Sequence, residues 1–150
     1  MDCTCVVGLQ WGDEAKGKIV DLLTQLEEHD FVIRFNGGAN AGHTVVTEGQ
    51  TFKLSLLPTG VLRPEVCSVI GNGVVVHPPT FLLELTNLRK AGITIAPGQL
   101  VVSSHAHVIF PYHIEEERLA EQGAGLAGIA IAAGNLAGVE HHQRVLGAEL

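Results

Sequence analysis

Short apolar runs alternate with amphipathic segments along most of the chain, and this alternation predicts its secondary structure. Strands are predicted at residues 3–9, 31–35, 45–47, 51–56, 66–70, 74–76 and 100–104, and helices at residues 17–28, 78–90 and 111–122. Pro78 and Pro79 open the second helix and Gly92 ends it. The alternating order of strands and helices predicts an α/β fold with a three-layer, mostly parallel sheet.

Two glycine-containing turns are predicted between neighbouring strands. Glu48-Gly49-Gln50 separates the strands at 45–47 and 51–56, and the three segments together predict a hairpin. Gly71-Asn72-Gly73 separates the strands at 66–70 and 74–76, and we interpret it as a second strand-linking turn.

A glycine-rich segment follows the first predicted strand and opens the first predicted helix. Its Gly12, Gly17 and Lys18 satisfy the G-x-x-x-x-G-K part of a P-loop, in which backbone N–H groups and a helix N-terminus face a phosphate. Ile19 stands where a P-loop has the Ser or Thr that holds Mg²⁺, so Asp13 and Glu14 are the candidate oxygen ligands. A tight turn whose glycines serve only backbone geometry is the alternative.

A second polar, glycine-rich cluster, Asn36 to Thr44, follows the strand at 31–35. Ligands of open α/β sheets collect beyond the carboxyl ends of the strands, where two such clusters would meet. The pair of clusters therefore favours phosphate binding over a purely structural turn.

Composition limits the classes of partner. The chain has 150 residues, 46% hydrophobic and 17% charged, which is typical of one globular domain with a core. A net charge of −7 with only nine Lys and Arg residues argues against a nucleic-acid partner. No basic segment followed by an apolar one opens the chain, so we expect no signal peptide and a cytoplasmic protein. Cys3, Cys5 and Cys67 lie on predicted strands, where we expect small buried side chains rather than a metal site.

Four motifs carry a family resemblance: QWGDEAKGKIVD, NGGANAGHT, LLPTGVL and IGNGVVV, in this order. Together they resemble adenylosuccinate synthetase over about residues 3 to 122. This implies an α/β domain over residues 1–122 with a P-loop-like first turn, truncated relative to the family. Ala15 stands where the family usually has Gly, so we expect that this position does not need a positive φ.

The resemblance implies a GTP-dependent ligase that converts IMP, L-aspartate and GTP to adenylosuccinate, GDP and phosphate, with one Mg²⁺ per subunit, in a homodimer. It implies that Asp13 is the catalytic base and a Mg²⁺ ligand, that the Gly42 carbonyl is a second ligand, and that His43 is the general acid. Without the resemblance, Asp13 would equally fit a helix cap. The implied substrate-binding residues are Gly12, Asp13, Glu14, Ala15, Lys16, Gly17 and Lys18 in the phosphate loop, Asn40 and Ala41 at IMP, and Gly42, His43 and Thr44 at GTP.

Residues 123–150 form a divergent tail with seven Ala and six Gly, and its first 17 residues carry no charge. Three interpretations stay open: an altered reading frame with an early stop, a truncated paralogue, and a membrane-associated tail suggested by Gly134-x-x-x-Gly138. The uncharged run is short for the roughly 20 apolar residues of a membrane span, so we expect no membrane partner.

The function of the isolated chain has two main candidate classes. It is either an incomplete ligase with weak or no activity, or a non-catalytic truncated paralogue or nucleotide-binding module. A plain P-loop GTPase is a further alternative, but Ile19 stands where that class requires Ser or Thr.

Overall fold

The computed structural model describes residues 3–9, 15–39, 42–47 and 49–124. The predictions for Gly12, Asp13, Glu14, Asn40, Ala41 and the tail from residue 125 onward lie outside the described residues.

The elements alternate between strands and helices, as the sequence pattern predicts. In chain order they are α1 (Lys16–Leu26), β1 (Phe31–Gly37), β2 (His43–Thr47), β3 (Gln50–Leu54), a 3₁₀ helix (Thr59–Leu62), β4 (Cys67–Val76), α2 (Pro78–Lys90), β5 (Leu100–Val102), β6 (His107–Val108) and α3 (Pro111–Ala124). Gly92 follows α2 with φ +88°, the left-handed conformation that ends a helix. None of the helices in these ranges is long and apolar enough to cross a membrane.

The main sheet is parallel and has β4 at its centre. The order is β1-β4-β5, and β6 pairs with the far end of β4. The predicted hairpin forms separately, as β2 and β3 pair antiparallel with His43 opposite Leu54. The α/β class and the mostly parallel sheet are therefore confirmed.

The core lies on one face of the sheet, where β4 meets the hairpin, the 3₁₀ helix and α2. Its fully buried side chains include Leu54, Leu56, Leu57, Val61, Ile70 and Val74. The LLPTGVL motif, residues 56–62, supplies much of this core; it begins just after β3 and includes the whole 3₁₀ helix. The hairpin is thereby held against the sheet, with His43 at its first position.

The strand predicted at residues 3–9 is wrong. This segment has no regular secondary structure, and Cys3, Cys5, Val7 and Leu9 are exposed rather than buried. A strand is defined by hydrogen bonds to a neighbour, and an apolar run does not by itself provide that neighbour.

The turn predicted at Gly71-Asn72-Gly73 is also wrong, because β4 runs through it without interruption. Between the pairs Arg34–Ile70 and Asn36–Gly73, β1 advances by two residues and β4 by three, so β4 carries the extra residue of a β-bulge at this point. A side chain at Gly73 would collide with the Phe35 carbonyl oxygen, and one at Gly71 would lie 3.2 Å from the Arg34 carbonyl oxygen. These glycines permit close backbone approach rather than chain reversal.

Candidate functional site

The two glycine-rich clusters meet where α1 begins beside the first residue of β2. An ideal Cβ atom placed on Gly17 would lie 2.5 Å from Cγ and 2.8 Å from Cβ of His43. The imidazole therefore packs directly on the backbone of the first turn of α1. Only glycine at position 17 permits this contact, which joins residues of the phosphate-loop motif to residues of NGGANAGHT.

Ala15 precedes α1 in the left-handed conformation, with φ 59° and ψ 32°. The expectation that this position does not need a positive φ is therefore wrong. The carbonyl of Ala15 accepts hydrogen bonds from the N–H groups of Lys18 and Ile19 at 2.9 and 3.1 Å, so the turn into the helix depends on this conformation. A side chain in the left-handed region costs of order 1 kcal/mol, which Gly would avoid.

The remaining predicted site residues in the described ranges flank this contact. Lys16 and Lys18 are exposed on the first turn of α1. Gly42 is exposed just before β2, and Thr44 is an exposed β2 residue opposite Lys53. The structure thus brings Gly17 and His43 into contact, with the two lysines and Gly42 near them in sequence.

His43 is partly buried, and its Nε2 atom is buried without a hydrogen-bond partner in the part of the chain that the structure describes. The pKa of His43 is lowered to about 4, first by burial and then by the positive charge of Arg34, while the negative charge of Asp21 acts in the opposite direction. The imidazole is therefore neutral at pH 7 and carries one N–H. A buried polar atom with no partner is uncommon and suits a site completed by a ligand.

Asp21 lies one turn beyond Gly17 on α1, and its carboxylate is almost fully buried. It accepts a hydrogen bond from Arg63 at 3.1 Å and another from Gln25 at 3.2 Å. This ion pair ties α1 to the end of the 3₁₀ helix. It fixes the helix whose first turn carries Gly17.

The sequence motifs did not identify Arg34 as a residue of the site. It stands in the middle of β1, and its guanidinium donates to the carbonyl oxygens of Ser55 and of Gly38, the latter at 2.7 Å. Burial lowers the pKa of Arg34, and the negative charge of Glu84 opposes that shift. The signal in the sequence is a single cation inside the apolar run Phe31 to Phe35, which is rare unless the charge has a specific partner.

Comparison with known proteins identifies the family. A sequence profile described as adenylosuccinate synthetase matches residues 5–136 of this chain. The chain belongs to the adenylosuccinate synthetase family. The match includes both glycine-rich clusters that meet at Gly17 and His43, and it reaches beyond residue 122.

Individual synthetases are identical to this chain at about half of the aligned positions. The adenylosuccinate synthetase of Caldanaerobacter subterraneus subsp. tengcongensis is 50% identical over 125 residues, which are 83% of this chain and 29% of that protein. The one from Neorickettsia sennetsu is 53% identical over 117 residues, 78% of this chain and 28% of that protein. The chain therefore spans less than a third of the length of these relatives.

Solved structures show the same relationship. The fully ligated adenylosuccinate synthetase of Plasmodium falciparum has a TM-score of 0.65 and 39% identity, and the match covers 78% of this chain and 26% of that one. The succinoaminodeoxyadenylate synthetase of cyanophage S-2L, bound to dGMP and dATP, has a TM-score of 0.63 and 25% identity over 88% of this chain and 36% of that one. The arrangement of strands and helices in this chain is thus that of part of a synthetase.

Proposed function

We propose that this chain carries the phosphate-binding and proton-transfer part of an adenylosuccinate synthetase, the GTP-dependent ligase that joins IMP to L-aspartate. The contact between His43 and Gly17 carries the proposal, because it joins the two glycine-rich clusters around a buried imidazole nitrogen that lacks a protein partner among the described residues. Phosphate oxygens are good acceptors for such an N–H group.

The proposed chemistry has two steps. Asp13 takes the proton from N1 of IMP while O6 attacks the γ-phosphorus of GTP, and the bond from that phosphorus to the β–γ bridging oxygen breaks. His43 donates a hydrogen bond to the GDP oxygen that gains charge. The neutral amine of L-aspartate then attacks C6, the C6–O6 bond breaks so that phosphate leaves with the former O6, and the new C6–N group releases one proton to solvent. Phosphorylation is what converts a poor leaving group into a good one.

The neutral state of His43 fits this role. With a pKa of about 4 the imidazole donates one N–H without bringing a full charge into the site. A bound phosphate would raise the pKa of His43, so the imidazole would take up a second proton only where a negative charge lies beside it.

Mg²⁺ fits the proposed donor set because the Asp13 carboxylate, the Gly42 carbonyl and phosphate oxygens are all hard oxygen ligands. When bound, Mg²⁺ would neutralise charge on the phosphates. In the described residues no cluster of three His, Cys, Asp or Glu side chains forms a metal site. A site with one or two protein ligands completed by substrate phosphates is consistent with that finding.

The other proposed contacts follow the motif positions. Gly12 to Lys18, which includes Glu14 and Ala15, would form the phosphate loop, and Lys16 and Lys18 would offset phosphate charge. Asn40 and Ala41 would line IMP, and Gly42 to Thr44 would reach GTP. A homodimer in the cytoplasm, as the family resemblance implies, completes the proposal.

We propose that the isolated chain is nearly inactive. The 150-residue chain spans 28–29% of the two relatives named above. Loss of substrate positioning alone removes up to about 7–11 kcal/mol of catalysis.

Titration calorimetry of the 150-residue chain with GTP in the presence of Mg²⁺, paired with an assay for adenylosuccinate, tests the proposal. We expect measurable GTP binding that weakens at least tenfold in His43→Asn and is unchanged in His105→Asn, an exposed histidine outside the site. Product formation should stay near background. Equal GTP binding by the two variants would contradict the role of His43, and turnover at ordinary enzyme rates would contradict the proposed inactivity.

A further inference from the structure

We propose that Glu84 and Arg34 are positioning residues that hold the two ends of the second glycine-rich cluster, at Gly38 and at His43. The inference rests on the proposed function, since the cluster carries the candidate acid. Neither residue lies in a glycine-rich motif, and Glu84 is distant in sequence from both clusters.

Glu84 is the anchor of this network. Its side chain projects from the middle of α2 and is only 7% exposed. The two carboxylate oxygens accept hydrogen bonds from three consecutive backbone N–H groups, those of Ser55, Leu56 and Leu57, at 2.9 to 3.2 Å. An ionised carboxylate only accepts, so three donors aimed at one group fix the bend at residues 55–57.

The bend at 55–57 fixes one end of the cluster. Ser55 directly follows Leu54, and Leu54 is the β3 residue paired with His43. A side chain at Gly42 would lie 3.5 Å from the Oγ atom of Ser55, so the bend also lies beside the residue that precedes His43. Movement of residues 55–57 would therefore move the start of β2, where His43 packs on Gly17.

Arg34 connects the same bend to the other end of the cluster. One guanidinium nitrogen donates to the Ser55 carbonyl oxygen and another to the Gly38 carbonyl oxygen at 2.7 Å. The third donates to the Asn36 carbonyl oxygen at 3.4 Å. A single planar fork thus joins the first residues of the cluster, at Asn36 and Gly38, to Ser55 after β3. The Lys ammonium cannot reproduce this geometry.

Electrostatics supports the coupling between the two residues. The negative charge of Glu84 opposes the lowering of the Arg34 pKa by burial, so the pair interacts although the direct hydrogen bonds of each go to the backbone. Ser55 is the shared element, since its N–H donates to Glu84 and its carbonyl accepts from Arg34. Loss of either side chain should therefore loosen the same backbone segment.

Backbone amide NMR and hydrogen exchange on the full 150-residue chain test the inference without any substrate. The variants are Glu84→Gln, which replaces one acceptor oxygen by an NH₂ donor, and Arg34→Lys, which keeps the charge and removes the fork. Matched controls are Glu116→Gln and Arg89→Lys, both at exposed helical positions. We expect Glu84→Gln to raise exchange at Ser55 to Leu57 at least tenfold and to shift the amide signals of Gly38, Gly42 and His43. Arg34→Lys should shift the same three signals, and the controls should not.

Unchanged signals at Gly38, Gly42 and His43 in the two variants would overturn the inference, even if residues 55–57 loosen. Loss of folding in both variants would also overturn it, because the hydrogen bonds would then stabilise the whole fold rather than position the cluster. GTP titration in the presence of Mg²⁺ distinguishes a failure of this inference from a failure of the proposed function. A wild-type chain that binds no GTP would contradict the proposed function and leave the amide result intact. If GTP binds, Glu84→Gln should weaken binding at least tenfold relative to Glu116→Gln.

Discussion

Gly17 and His43 are in direct contact although they lie in different motifs, and the imidazole of His43 occupies the space that a side chain at position 17 would need. The nearest ring atom is 2.5 Å from an ideal Cβ at Gly17. The glycine of the G-K pair therefore has a steric role toward His43, in addition to any role at a phosphate.

Gly17→Ala should destabilise the chain by about 1–3 kcal/mol, because the added methyl group overlaps His43 and neither backbone can move freely. In a His43→Gly background, the same substitution should stabilise by up to about 1 kcal/mol, since alanine is the better helix former. Urea unfolding of the four proteins in this double-mutant cycle measures both values. The same cost of Gly17→Ala in the two backgrounds would contradict the contact.

Ala15→Gly should stabilise the chain by about 1 kcal/mol. Ala15 has φ 59°, where a side chain is strained and glycine is not. Ala91→Gly is the matched control, because Ala91 ends α2 at φ −82° and gains no relief. The midpoint of urea unfolding should rise for the first variant and fall or stay constant for the second. A fall for Ala15→Gly would show that the left-handed conformation is not strained.

The pH dependence of stability should contain a contribution from His43. Its pKa is about 4 in the folded chain, whereas an unperturbed histidine has a pKa of 6.5, so the unfolded chain binds more protons between these two pH values. Stability should therefore fall as pH drops from 6.5 to 4, with a slope of up to about 1.4 kcal/mol per pH unit from this group. Unfolding free energies of wild type and His43→Gln across this window isolate the contribution. Parallel curves would contradict the lowered pKa.

Arg63→Met should destabilise the chain by about 2–4 kcal/mol. The Arg63 guanidinium lies 3.1 Å from the Asp21 carboxylate, with the two side chains 18% and 9% exposed, so its removal leaves a largely buried charge without its cation. Adding Asp21→Asn should recover part of the loss, and Arg89→Met, at an exposed position, should have little effect. Thermal or urea unfolding checks the series. If the changes in unfolding free energy caused by Arg63→Met and Asp21→Asn are strictly additive in the double variant, the two side chains are not coupled.

One face of the main sheet should promote self-association. Phe31, Ile33 and Phe35 on β1 are 57%, 58% and 50% exposed, while Val32 between them is buried. Exposed apolar surface on an edge strand favours association. Ile33→Lys and Phe35→Lys should lower the associated fraction in light scattering with little change in unfolding free energy. Val32→Lys, the control on the opposite face, should unfold the chain. No change in association for the exposed-face variants would contradict the prediction.

Elements with local signals were predicted correctly from the sequence alone. Pro78 and Pro79 opened α2, Gly92 closed it, and alternation around Gly49 predicted the hairpin, because caps and turns depend on a few neighbouring residues. The two glycine-rich clusters were also recognisable, since residue types and their spacing are enough to identify such motifs.

Features that depend on a partner distant in sequence became visible only in the folded chain. Residues 3–9 have the composition of a strand but pair with no strand among the described residues. Gly71 and Gly73 have the composition of a turn, yet they lie within β4, where the backbone of Arg34 and Phe35 approaches them closely. Arg34 and Glu84 gain their roles from backbone groups that only the fold brings within reach. Local preferences are small compared with the free energy of burial and hydrogen bonding to a partner, so long-range contacts override them. The contact of His43 with Gly17, which completes the candidate site, is of this second kind.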